Sequence, residues 1–315
     1  MTALDKELDR YLNIRRSFGF SLTTSERVLR RFVEFANRRK ECHVTADLFL
    51  AWRQEFGAAN RHTWAARLGM IRQFATWLSA IDPKHEVPPS GLLPGHYRRA
   101  RPYIYSESEI ARIVAEATRL PSPNGLRSLT FSTFFGLIAV TGLRVSEALA
   151  LDNGDVDAKT GVLTVHRGKL GKPRLIPVAR STLVRLNAYA TTRDRLLGRV
   201  PKSFFVSDTG NRPDDCSARY NFAVICQRMG LRQEQRFNRH GRGPRIHDLR
   251  HTFATRTLID WYRAGKDPDR EMLKLSTYLG HSEPAHTYWY MEAVPELLEL
   301  AAARAEKMLK LEVAR

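Results

Sequence analysis

"DPKHEVPPSGLLPGHYRRARPY", residues 82–103, decides how this chain of 315 residues is divided. Its prolines and glycines interrupt helix and strand alike, and a basic cluster follows them. Such a stretch reads as a linker between domains. A chain of this length can bury two cores. The linker therefore predicts one domain over residues 1–98 and a second over residues 104–315.

Upstream, apolar residues recur at helical spacing in about four stretches. Residues 3–17 form the first. Residues 24–39 form the second, with Val28, Leu29, Phe32, Phe35 and Ala36 at helical spacing. Thr45 can cap a third helix, and Asn60 can cap "RHTWAARLGMIRQFATWL". In that fourth helix Trp64, Leu68, Ile71, Ala75 and Leu78 make one stripe. Arg61, Arg67 and Arg72 project elsewhere. A single surface arginine is usually just solvated. As a set, on a short domain beside a basic linker, these three are candidate contacts to DNA phosphates.

Downstream, "SESEIARIVAEA" opens with a capping box, Ser106 with Glu109. Helices are predicted at 127–141 and 144–151. "GVLTVHRGKLGKPRLIPV" then gives two short strands around a Gly-Lys turn, a hairpin signal. A helix at 180–197, a short strand "FFV" and helices at 214–229, 248–264, 269–279 and 284–291 follow. A last amphipathic helix covers 294–312, with Leu297, Leu298, Ala301, Ala305, Met308 and Leu309 as its apolar stripe. The fold class is α+β, mostly helical, with a small antiparallel sheet.

Charge points to the partner. Lys and Arg number 51 against 33 Asp and Glu, a net charge of +18 and a pI near 10.3, with arginine the larger part. Such a field concentrates polyanions, and arginine's planar fork suits phosphate, so nucleic acid is the leading partner. Three scattered cysteines, Cys42, Cys216 and Cys226, show no zinc spacing. The charged start "MTALDKELDRYL" lacks a signal-peptide pattern, and the longest apolar run, "FFGLIAVTGL", is too short to span a bilayer. A cytoplasmic location without membrane partners is the expectation.

Four motifs carry candidate chemistry. In "TGLRVSEALAL" Arg144 is a charge among apolar neighbours, and Glu147 three residues on can hold its guanidinium. In "RGKLGKPR" Lys169 stands in the hairpin turn, with Lys172 the competing lysine. In "HDLRHTFAT" His247 and Arg250 share a helix face, while His251 reads as a packed histidine facing another way. In "LGHSEPAHTYWYMEA" His281 is followed by Tyr288, Trp289 and Tyr290. Taken singly, each motif has an ordinary structural explanation. Together they offer cations to hold a phosphate, a lysine able to protonate a leaving oxygen and a phenol able to attack.

These boxes, in this order and spacing, resemble those of the tyrosine recombinases, the phage-integrase-like DNA strand-exchange enzymes. The resemblance covers nearly the whole chain. It implies a core-binding domain over 1–98 and a catalytic domain over 104–315. Arg144 and Arg250 would clamp the scissile phosphate, Lys169 would protonate the 5′ oxygen, and His247 would assist proton transfer from the tyrosine. His281 would hydrogen-bond the phosphate, and Tyr290, nine residues after it, would be the nucleophile. Site-specific cleavage and rejoining of double-stranded DNA through a 3′-phosphotyrosine is implied, without metal or other cofactor, in the integration or transposition of a mobile element. A homo-oligomer on DNA, dimer to tetramer, is implied as well. The ending is similar to recombinases encoded in adjacent groups on bacterial mobile elements, so sister recombinases are further partners. The last helix either packs on its own domain or docks on a neighbouring protomer, as the resemblance suggests. Two other readings stay open: an accessory DNA-binding protein, and a type IB topoisomerase-like relaxation enzyme.

Overall fold

The computed structural model describes residues 2–57, 59–93, 101–166, 173–233, 243–281, 283 and 285–313. The chain divides into two compact units, Met1–Arg99 and Ala100–Arg315. It is α+β and mostly helical, with one small antiparallel sheet. Among the described residues no helix is long and apolar enough to cross a membrane.

The first unit is built from α1 (Ala3–Ser17), α2 (Thr23–Arg38), α3 (Ala46–Glu55) and α4 (Arg61–Ser79). Side-chain caps fix where three of these helices begin. The Thr2 side chain accepts from Asp5 N, Thr45 Oγ1 from Leu48 N at 3.1 Å and Asn60 Oδ1 from Thr63 N at 2.8 Å. The core is aromatic. Trp52 stands edge-on to both Phe32 (5.4 Å) and Trp64 (5.3 Å), an arrangement that adds to burial of the rings themselves. The α4 stripe of Trp64, Leu68, Ile71, Ala75 and Leu78 is buried throughout.

The described ends of the stretch 82–103 pack on the units they adjoin. Its start belongs to the first core: Leu93 is buried, Val44 N donates to His85 Nδ1 at 3.0 Å, and Glu86 N donates to Val44 O at 2.8 Å. Its end leads into the second unit, where Tyr105 is fully buried and its amide donates to Thr252 Oγ1 at 3.0 Å. Proline and glycine predicted the break in secondary structure correctly, but that break does not free the backbone from packing.

The second unit comprises α5 (Glu107–Ala117), α6 (Leu126–Thr141), α7 (Val145–Ala150), the sheet, α8 (Arg180–Leu197), α9 (Asp215–Arg228), α10 (Ile246–Arg263), α11 (Pro268–Leu279), α12 (Ala285–Ala293) and α13 (Pro295–Val313). The α6 helix is apolar on nearly every side and therefore central. Phe134 packs on Phe205 and Phe135 on Phe222, with centroids 5.3 and 5.1 Å apart. Each buried phenylalanine contributes about 1.5–3 kcal/mol. The sheet runs in order through β1 (Val156–Asp157), β2 (Val162–Val165) and β3 (Arg174–Pro177), all antiparallel, with Val165 opposite Arg174.

Two expectations need correction, one strand and one position of the last helix's apolar stripe. "FFV" is not a strand: its ladder is one isolated bridge, Asp152 with Ser203, while Phe204, Phe205 and Val206 are buried among side chains. The Phe204 amide donates to Leu151 O, and the Val206 amide to the Tyr189 hydroxyl, so these residues satisfy their backbone without a sheet. The last helix packs on its own unit. Leu297 is fully buried in the cluster with Leu258, Leu279 and Tyr290, and Arg263 pairs with Glu296 at 2.8 Å. Leu298, placed in the apolar stripe by its spacing, is instead 51% exposed.

Candidate active site

The candidate site starts where α6 stops. Gly142 ends that helix in the left-handed region (φ +63°), and its amide donates to Ile138 O at 2.9 Å. A Cβ there would lie 2.5 Å from Phe253 Cδ1, so both the turn and the close approach of α10 require glycine. The reversal places Arg144 at the N-cap of α7. Its amide donates to Glu147 Oε2 at 2.9 Å and its Nη1 to Glu147 Oε1 at 2.7 Å, so the pair expected from the i,i+3 spacing forms.

Three arginines then converge on three consecutive carbonyls at the C-terminus of α11. Arg174 Nε donates to Tyr278 O at 2.9 Å, Arg250 Nη2 to Leu279 O at 2.6 Å and Arg144 Nη2 to Gly280 O at 2.7 Å. Carbonyls at a helix C-terminus lack intrahelical partners and carry the negative end of its dipole, which is why cations settle there. Arg250 also donates from Nη1 to Gly142 O at 2.7 Å. Its side chain is 2% exposed, and burial, with Arg144 second, pushes its guanidinium down to about 10, which leaves it charged at neutral pH.

Glu147 binds this cluster together. Burial pushes its carboxyl up, but hydrogen bonds from Arg174 and Arg144 outweigh that and hold it below the usual carboxylate range. Arg174 reaches it through both Nη atoms, at 2.9 and 2.7 Å. Asp248 plays a similar part at the start of α10, accepting from Arg245 N at 2.7 Å and Nη2 at 3.0 Å.

His281 follows α11 through Gly280, whose φ is +66° and whose Cβ would strike Arg174 Nη1 at 2.9 Å. His281 Nδ1 is 2.7 Å from Thr287 Oγ1, and its ring is stacked at 6.4 Å from that of Tyr290. The two tyrosines of α12 face differently, as positions about 200° apart must. Tyr288 is 44% exposed, whereas Tyr290 is 1% exposed. Trp289, between them, packs against His251 at 5.4 Å.

His247 is exposed and lines a cleft of about 720 Å³ with Arg144, Ser146, Asp215, Arg219, Arg232 and Arg245. Lys169 and its competitor Lys172 lie outside the described residues. The three arginines of α4 are not brought together. At about 100° per residue, Arg67 lies about 120° from Arg61 and about 140° from Arg72. Arg67 stacks over Trp64 (4.5 Å) and Phe56 (4.7 Å), Arg72 Nε donates to Pro88 O at 2.6 Å, and only Arg61 of the three is exposed. Aromatic faces and a main-chain oxygen nearby hold Arg67 and Arg72 within their own unit.

Two residues of the site escaped the motif reading. Arg174 had a signal in the strand alternation: with Leu175 and Pro177 exposed and Ile176 buried, Arg174 sits on a two-residue period that turns it toward the core. His251 reads from the sequence as a packed histidine, and it is buried. Measured from His247, one turn earlier, it is about 40° away and shares that face. In the structure His251 is 3% exposed, and its Nδ1 lies 3.0 Å from Tyr290 Oη. His251 thus lies beside this phenol, and His247, which the resemblance implies for proton transfer, stands edge-on to His251 at 4.5 Å.

Among the described residues no three His, Cys, Asp or Glu side chains group as a metal site would need. Chemically, the arrangement sets guanidiniums, imidazoles and a phenol around one helix end.

Comparison with known proteins follows the same lines. Residues 104–296 match the model of the phage integrase family. The integrase/recombinase y4rB of Sinorhizobium fredii is 40% identical over 312 residues, covering 98% of both chains. Tyrosine recombinase XerC of Escherichia coli is 25% identical over 299 residues, with 92% of each chain covered. A lambda integrase dimer bound to a core site shares the fold, with a TM-score of 0.60 and 18% identity over 91% of this chain and 94% of that one. The match over residues 104–296, with y4rB alike along almost its whole length, places the chain in the phage integrase family, as a tyrosine recombinase.

Proposed function

We propose that this recombinase cleaves and rejoins double-stranded DNA at specific sites through a 3′-phosphotyrosine formed on Tyr290. The observation that carries the proposal is the convergence of Arg144, Arg250, His281 and Tyr290, from four separated segments, on the end of α11. Main-chain carbonyls orient Arg144 and Arg250, whose remaining N–H groups then bind the non-bridging oxygens of the scissile phosphate. Guanidiniums fixed in advance stabilise the charge that builds up on those oxygens, with no reorganisation at the moment of reaction. Tyr290 Oη attacks phosphorus, the bond to O5′ breaks, and Lys169 protonates the departing oxygen. The phosphotyrosine conserves the energy of the phosphodiester, so rejoining needs no ATP. His281 hydrogen-bonds the phosphate, and His247 with the cleft arginines contacts the neighbouring backbone. Assembly as dimers to tetramers on paired sites follows the lambda integrase dimer on its core site and tetramer on a Holliday junction, and movement of a mobile element is the setting we propose.

The test begins with DNA ends trapped covalently on the wild-type protein in cells, which define a duplex substrate nicked beside the cleavage point. Tyr290→Phe is expected to bind this duplex and form no adduct, while Tyr288→Phe still forms it. Excess chelator is expected to leave cleavage intact. Adducts that persist in Tyr290→Phe, or no trapped ends at all, would overturn the proposal.

A further inference from the structure

His251 lies against Tyr290 Oη. The two rings meet at a centroid distance of 5.5 Å, with Nδ1 3.0 Å from the phenol oxygen. Both side chains are buried, at 3% and 1% exposure, so water is excluded from the pair. His247, one turn earlier on α10, places its ring edge-on to His251 with centroids 4.5 Å apart, and opens on the cleft. Among the described residues, the charged and titratable groups near the pair include His247 and Arg250 on α10, His281 after α11, and Arg144, Glu147 and Arg174, which surround Arg250. A neutral imidazole protonated on Nε2 presents its Nδ1 lone pair, and the phenol is the partner with a proton to donate.

Resting on Tyr290 as the nucleophile, we infer that His251 is a further catalytic residue that takes the Tyr290 proton through Nδ1. As the Oη–P bond forms and the P–O5′ bond breaks, the phenol proton passes to Nδ1 and the leaving 5′ oxygen receives its own proton from the other side. In rejoining, the 5′ hydroxyl attacks phosphorus, the Oη–P bond breaks, and His251 returns its proton to the phenolate. Protons and charge balance over the cycle. A phenol with an ordinary value near 10 is almost fully protonated at neutral pH, so a base at 3.0 Å can speed attack by about 10²–10⁴-fold.

The experiment compares His251→Asn and His251→Phe with wild type on the nicked duplex, from about pH 6 to about pH 9.5, a range that spans histidine and approaches tyrosine. Asparagine can accept a hydrogen bond near the Nδ1 position but cannot take up a proton, and phenylalanine does neither. Both variants are expected to bind the duplex normally and to form adduct about 10²–10³-fold more slowly at neutral pH. That deficit should shrink as hydroxide takes over the deprotonation. His247→Asn should keep the wild-type pH profile. A wild-type rate in His251→Asn would make His251 a holder only, and an unchanged or faster rate in His251→Phe would make it packing or a brake. A deficit equal at every pH would make its role structural, and a pH-dependent deficit confined to His247→Asn would move the base to that residue. Each of these four results overturns the inference. Independently of folding in the variants, isotope-labelled histidine in the wild-type protein is expected to show His251 as the Nε2–H tautomer, and Nδ1–H would refute it. Tyr290→Phe separates the two claims: adducts surviving in that variant would refute the nucleophile, not the histidine alone.

Discussion

Arginine serves two ends in this molecule. In the first unit it lies outside an aromatic core. Arg67 covers Trp64 and Phe56, and Arg30 reaches Glu26 and Asp9 in half-exposed pairs. In the second unit Arg144, Arg174 and Arg250 are drawn inside, and each holds a main-chain oxygen at the end of α11. The side chain is the same, but the dielectric around it differs. Exposed pairs and stacks are worth well under a kilocalorie to about one, because water competes for both partners. A buried guanidinium held by carbonyls cannot be removed without leaving those oxygens unpaired. The contrast teaches that the count of arginines predicts a polyanion partner, while convergence on one helix end marks those that build the candidate site.

The largest effect should come from Arg250→Ala. Loss of an oriented donor at the reacting phosphate lowers adduct formation by about 10³-fold or more. Two charge-assisted bonds, each worth about 1.5–3 kcal/mol, are lost while a buried charge is removed, so stability should fall by about 2–4 kcal/mol. Adduct gels and urea unfolding read the two effects separately, and near-neutral values would erase the contrast.

Next is Arg174→Lys, which keeps the charge and loses the fork. Lysine cannot bridge both Glu147 oxygens and Tyr278 O at once. Losing about 1.5–3 kcal/mol of positioning energy should slow cleavage roughly ten- to hundredfold, with DNA binding nearly unchanged. Recovery to the wild-type rate in the lysine variant would show that charge alone suffices there.

Acid sharpens the comparison further. The folded-state value of Glu147 lies below its ordinary 4.5. Its stabilisation is therefore complete above that ordinary value and is lost as pH falls below it, through the lowered folded value. Urea unfolding between about pH 6 and about pH 3 should show a steep loss in wild type and a shallower one in Glu147→Gln. Parallel curves would place the acid sensitivity elsewhere.

The smallest effects belong to α4. Arg67→Ala should cost about 0.5–1 kcal/mol and leave adduct formation unchanged. Arg61→Ala should leave the melting curve alone. If Arg61 meets a phosphate, that variant lowers the slope of DNA affinity against salt by about one. A large stability loss in either would contradict the division drawn between the two units.

By itself the sequence determined most of the helices and the order of the motifs. Periodicity placed the four helices of the first unit, capping residues fixed several starts, and alternation around a Gly-Lys turn predicted two strands, later found as β2 and β3. These are local signals, set by neighbours within about one helical turn or strand repeat. The Arg144–Glu147 pair was legible for the same reason, being an i,i+3 contact. Only the tertiary structure decided the rest. No local rule shows that "FFV" satisfies its backbone without a ladder, that residues 82–93 pack on the first core, or that Leu298 faces water while Leu297 is buried. Nor could it show that Arg174 and Arg250, 76 positions apart by their numbering, grip adjacent carbonyls, or that His251 meets Tyr290 across 39. Those contacts join helices whose relative placement comes from core packing, a property of the whole chain that no window of neighbouring residues contains.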